Sequence, residues 1–175
     1  MTSTVEINHK NFNLLFHELL SKLSALINKK SVKVYYNMFM VLKKTQPKMP
    51  VNLFMCGVLD YKQQIKDKDE DFFKQTKNYT DINNRYSFTK NLYIQEYWDS
   101  FSSETKENLW KYFQSLFVMG EIIINENRAN FDKYRKKYVE DLNEKYENPS
   151  TEQEIDYEEN NTDSKIDFEF LPKIK

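Results

Sequence analysis

The chain has 175 residues, a net charge of −1, one cysteine and only two glycines. Gly57 and Gly120 are too few and too far apart for a phosphate-cradling loop of the GxGxxG or Walker A type, and Cys56 alone cannot close an internal disulfide. The charge is unevenly spread: residues 147–175 carry nine acidic groups and three lysines, which leaves 23 basic and 18 acidic groups on residues 1–146.

Apolar side chains at Phe12, Leu15, Phe16, Leu19, Leu23, Leu26 and Ile27 step by threes and fours, the stripe of a helix over 10–28. Lys29 and Lys30 fall at its end, where positive charge suits the helix dipole. A second helix is predicted over 31–44, with Ser31 as N-cap and Val34, Tyr35, Met38, Phe39 and Leu42 at helical spacing. The nearly continuous apolar run Val32–Leu42 admits a strand as the alternative, and Lys43, Lys44 and Pro47 close the element either way.

Pro50 suits the first turn of a third helix that runs past Val51, Phe54, Met55, Val58 and Leu59 to Ile65. Gly57 inside it suggests close packing against a neighbour. Over 66–91 the chain reads as a turn, an inward-tucked pair Phe72–Phe73 and a polar loop, and then a short helix from Lys90 to Trp98. Leu109, Trp110, Phe113, Leu116 and Phe117 share one face of a helix over 103–119. Ser102 or Ser103 caps its start, and Gly120 offers a stop, although glycine does not forbid continuation through Ile124. A last helix over 127–146 sets Phe131, Tyr134, Tyr138 and Leu142 on one side.

The pattern ends at Pro149, so the fold class is all-α: a compact bundle of about five to six helices over residues 1–146, then a disordered acidic tail over 147–175. Within the tail, Ile166, Phe168 and Phe170 alternate with charged residues, and with Leu171 they mark a docking segment over 165–172. That segment either folds back on the domain or adds a strand to a partner. The start MTSTVEINHK lacks a basic region followed by an apolar core, so no secretion signal is expected, and no stretch is apolar enough to cross a membrane.

Reactive constellations are thin. Asp67, Asp69 and Asp71 have the first three spacings of a calcium loop, but Phe72 stands where glycine is needed and Asn78 where glutamate is needed. His9 and His17 are eight residues apart with no CxxC beside them, so no metal and no cofactor is expected. Cys56, among Phe54, Met55 and Val58, reads as a buried thiol, and a Cys56–His17 nucleophile pair has no local support. An enzyme is not expected. Lys133, Arg135, Lys136 and Lys137, interleaved with tyrosines, offer a basic face for nucleic acid as the alternative function, diluted by Glu140, Asp141 and Glu144.

The acidic run "IKDKDEDFF", Ile65 to Phe73, followed by Trp98 and by "KENLWKYFQSLFVMG", Lys106 to Gly120, resembles small helical proteins of the nucleocytoplasmic large DNA viruses. The likeness covers chiefly residues 65–73 and 92–121, about a quarter of the chain, and Phe113 and Phe117 stand where aliphatic residues are expected. The resemblance implies a non-enzymatic interaction or structural protein of such a virus, located in the host cytoplasm, the viral factory or the virion. Its partners would be viral or host proteins. No catalytic residue carries over, because the matching positions are aromatics and caps.

Overall fold

A computed structural model describes residues 3–74 and 94–147, with the side chains of Leu142 and of residues 145–147 excepted. Among the described residues every regular element is a helix, and five helices have ten residues or more. The chain divides into two compact units, Met1–Arg128 and Ala129–Lys175. The tail over 148–175, with its docking segment, lies outside the described residues, as does the polar loop over 75–93.

Helix α1 spans Thr4–Leu26 and begins with a capping box: Ser3 Oγ accepts the Glu6 N–H while the Glu6 carboxylate accepts the Ser3 N–H. Its stripe buries Phe12, Phe16, Leu19 and Leu23 as expected and Leu20 besides, whereas Leu15 is only half-buried and Leu26, in the last turn, is exposed. It ends earlier than the periodicity suggests, with Ile27 extended as its C-cap and no basic residue in the last turn. Lys29 and Lys30 therefore do not serve the dipole of α1.

They open α2, Lys30–Thr45, instead. Its N-cap is Lys29 rather than Ser31, because the Lys29 carbonyl already accepts the Val32 and Lys33 amides. Val32, Phe39 and Leu42 are its buried side, so the helix and not the strand is realised. Helix α3, Met49–Val58, has Pro50 in its first turn and buries Val51, Phe54, Met55 and Val58.

The single helix expected to Ile65 is broken. A 3-10 turn over Leu59–Tyr61 separates α3 from α4, Lys62–Lys66, as Val58 opens to φ −121°, ψ −12° and Tyr61 to φ −107°, ψ 22°. The redirection keeps Ile65 buried, although one straight helix does not continue. Lys68 then adopts φ 54°, the left-handed region. Its amide bonds the Ile65 carbonyl at 3.3 Å and the Asp69 amide bonds the Gln64 carbonyl at 2.9 Å, a Schellman stop without the usual glycine.

Short α5, Asp71–Lys74, tucks Phe72 and Phe73 inside as anticipated. Helix α6, Ile94–Tyr97, runs into a 3-10 turn over Trp98–Ser100. Helix α7, Ser103–Glu126, is capped by the Ser102 hydroxyl and continues straight through Gly120. Glycine does not stop it because Gly120 is buried and closely approached. A Cβ there would collide with Met55 Sδ and come within 2.9 Å of Met55 Cγ. Close approach is thus the role of Gly120, while Gly57 is only half-buried in α3.

Helices α1 and α7 lie antiparallel, tied near their ends by Asn8 to Glu126 at 3.5 Å and by the Tyr112 hydroxyl to Glu18 at 2.7 Å. Between α1, α2, α3 and α7 the rings of Phe12, Phe16, Phe39 and Phe54 meet edge to face at centroid distances of 5.0–5.7 Å. A second aromatic group joins Phe72, Phe73, Trp98 and Trp110, with Phe73 stacked on Trp98 at 4.5 Å. Phe113 touches both groups, at 5.9 Å from Phe54 and 5.0 Å from Phe73. Helix α8 spans Arg128–Glu147, all but its first residue in the second unit, and Tyr134 stacks on Tyr138 one turn later at 6.3 Å.

Candidate functional site

The most organised stretch of the sequence, Trp98 to Glu121, supplies packing rather than a cleft. Trp98 is fully buried, Trp110, Phe113, Leu116 and Phe117 are at most 4% exposed, and all face the core. Around them sits a polar collar: Lys74 bridges Glu70 at 2.9 Å and Asp99 at 3.4 Å, and the Lys106 ammonium lies 5.3 Å from the Trp98 ring centre. Lys74 holds the Glu70 carboxyl below the usual carboxylate range.

Two of the three aspartates of the acidic run are used locally. Asp67 accepts the Gln63 side-chain amide at 2.7 Å, and Asp69 Oδ1 accepts the Asp71 backbone amide at 3.0 Å. Among the described residues no group of three or more metal-ligating side chains converges. His17 is half-buried at the edge of the α1 stripe, where its Nε2 pairs with the Tyr36 hydroxyl at 2.7 Å and its ring stacks on Tyr36. Cys56 is half-exposed, so the expectation of a buried thiol is corrected: it lies off the face that α3 gives to the core.

His9 sits near Lys48 and Glu126. Burial, and then the Lys48 charge, lower its pKa from the ordinary 6.5, while Glu126 opposes them. Asn13 is a buried polar residue inside the α1 stripe that the periodicity did not single out. Its amide donates to the Pro47 carbonyl at 2.8 Å and so anchors the turn that leads into α3.

On α8, Lys133, Lys136 and Lys137 are exposed and Arg135 is half-buried, with Lys136 4.0 Å from Glu140 one turn on. The helix thus presents these four groups close together, but with acids among them. Ile166, Phe168, Phe170 and Leu171 lie outside the described residues.

Two surface features were not anticipated. The first is apolar: Ile7 and Leu14 on α1 are 47% and 52% exposed, and Val118 and Ile122 on the adjoining α7 are 60% and 54% exposed. The second is the outer face of α2, where Lys30, Lys33, Asn37, Val41 and Lys44 are all exposed at steps of three and four. A search of the sequence for acid-free spans would have found it, because no Asp or Glu occurs between Glu18 and Asp60. Among the described residues no helix is long and apolar enough to cross a membrane. No protein-family model, curated protein or solved structure matches the chain.

Proposed function

We propose that this chain is a non-enzymatic, protein-binding component of a large DNA virus, acting in the host cytoplasm, the viral factory or the virion. The observation that carries the reading is the set of exposed aliphatic residues on two helices that lie side by side: Ile7 and Leu14 on α1, Val118 and Ile122 on α7. The first pair is two turns apart and the second one turn apart, so each pair shares one helical face. A contiguous apolar surface, unlike a single exposed aliphatic, marks a place that another protein covers, and these two pairs stand on neighbouring helices. The rings of Trp98, Trp110, Phe113 and Phe117, by contrast, are enclosed by the core, which leaves the helix exteriors as the available working surface.

The resemblance to viral helical proteins supports the same reading, since its shared positions are packing residues and caps rather than reactive groups. The test is affinity capture from infected cells with nuclease present, comparing the natural chain with a Leu14→Glu, Ile122→Glu variant whose helical circular dichroism is unchanged. Protein partners held by the natural chain should be lost from the variant. An unchanged set of partners would remove these faces from the account.

A further inference from the structure

Forty-one consecutive residues, 19 to 59, contain seven lysines and no carboxylate. The fold gathers most of that charge on α2 and its flanks. Lys30, Lys33 and Lys44 lie on the exposed stripe of the helix, Lys43 is half-exposed beside it, and Lys48 is exposed just beyond its end. Lys29 is engaged with Glu96 at 2.9 Å and its head lies 6.0 Å from the Tyr97 ring centre. Lys33 reaches only the neutral Asn28 side chain, at 3.0 Å. Among the described residues no carboxylate pairs with Lys33, Lys43, Lys44 or Lys48.

The elements packed against α2 bring little compensation. Helix α3 carries no acid, Glu6 of α1 caps its own helix, and Glu18 of α1 is held by Tyr112 and Lys22. Among the described residues the acids nearest this face lie at its ends, Glu96 on Lys29 and Glu126 near His9 and Lys48, and a helix face with several ammonium groups that no carboxylate pairs is an electrostatic footprint for a polyanion.

The layout of the face narrows the class of polyanion. Lys30 and Lys33 stand at one end, Lys44 and Lys48 at the other, and neutral Asn37 and Val41 lie between. At 1.5 Å per residue, Lys33 and Lys44 are about 16 Å apart along the axis. A B-form major groove is about 12 Å wide, admits a helix and is bordered by two rows of phosphates. We propose that α2 is a duplex-DNA-binding helix that crosses the major groove, its two lysine groups resting on the opposing phosphate rows. Asn37 then faces the base edges from the middle of the helix. The ladder on which phosphates sit supplies the two separated rows that the paired lysines match, whereas an acidic peptide supplies one strand of charge.

The test is anisotropy of a labelled 20-base-pair DNA duplex titrated with the full chain across a sodium chloride series. Three lysine–phosphate contacts at Lys33, Lys44 and Lys48 predict a slope of log affinity against log salt of about −2.7. A Lys33→Ala, Lys44→Ala variant removes two contacts, so affinity should fall roughly sixtyfold at 0.1 M salt and the slope should flatten by about 1.8. Lys33→Gln, Lys44→Gln provides a second variant with the helix-forming stem retained, and should behave in the same way. Unchanged binding in both variants would overturn the proposal. So would loss of binding in Lys133→Ala, Lys136→Ala with α2 intact, which would move the contact to α8. Competition by poly-glutamate as effective as by duplex at equal charge would overturn the assignment to DNA.

Discussion

Replacing Gly120 by alanine sets two known effects against each other. In a helix interior the change alone stabilises by about 1 kcal/mol, since glycine loses more backbone freedom on folding. Here, however, the new methyl would overlap Met55 Sδ and press on Cγ at 2.9 Å, and Met55 is itself fully buried in α3. Overpacking of this kind costs about 1–3 kcal/mol, so Gly120→Ala should leave the protein less stable by up to about 2 kcal/mol. Met55→Ala alone opens a cavity at a cost of about 2–5 kcal/mol. In the double variant the added methyl occupies space vacated by the thioether. The loss should then fall short of the sum of the single losses by about 1–3 kcal/mol. Urea unfolding followed by tryptophan fluorescence reads this cycle, because Trp98 and Trp110 are both buried. A gain of about 1 kcal/mol for Gly120→Ala, with no coupling to Met55, would refute the close approach of α3 and α7.

Other outcomes follow from the same packing and caps. Trp110→Ala should cost roughly 3–5 kcal/mol in urea unfolding, since its ring is enclosed by Phe72, Phe73 and Trp98. Lys68→Gly should raise stability by up to about 1 kcal/mol by relieving a left-handed backbone, less whatever its ion pair with Glu107 contributes, and Lys68→Ala should give no gain. Removing the hydroxyl cap in Ser102→Ala should cost about 1 kcal/mol in the same assay. The lowered pKa of His9 means that the unfolded chain takes up a proton there more readily than the folded one. Stability contributed by this site is full above 6.5 and declines as the pH falls through 6.5 towards the folded value. Melting temperatures measured across that window should flatten in His9→Gln, and an unaltered slope would exclude the site as the cause.

Much of the fold was legible because the long helices keep one apolar stripe each. Phe12, Phe16, Leu19 and Leu23 fixed the face of α1, and Leu109, Trp110, Phe113 and Leu116 that of α7. Their burial follows from spacing alone. Termini were harder to read. Gly120 had the look of a stop, yet only the approach of Met55, from sixty-five positions earlier in the chain, reveals why glycine is there. Likewise Val58 gave no local sign of a break, since both α3 and α4 keep their apolar residues inward after the 3-10 turn. The Schellman stop at Lys68 carries no sequence signal, because lysine is not a residue that normally adopts the left-handed region.

The working surfaces were less legible than the core for a related reason. Periodicity marks what is buried, and the same stripes that identify Phe16 or Phe113 say nothing of Leu14 or Val118 on the reverse face. The basic face of α2 depends on what is missing from the sequence, namely carboxylates, rather than on a motif.

The claim that the apolar exteriors of α1 and α7 meet another protein is tested most directly by a photo-crosslinking amino acid placed at Val118 or Ile122. Irradiation in infected cells should yield a discrete adduct with another polypeptide from these two positions, and none from exposed Asn108 on the same helix. No adduct at either position, in protein that is folded and present at its natural level, would contradict the account.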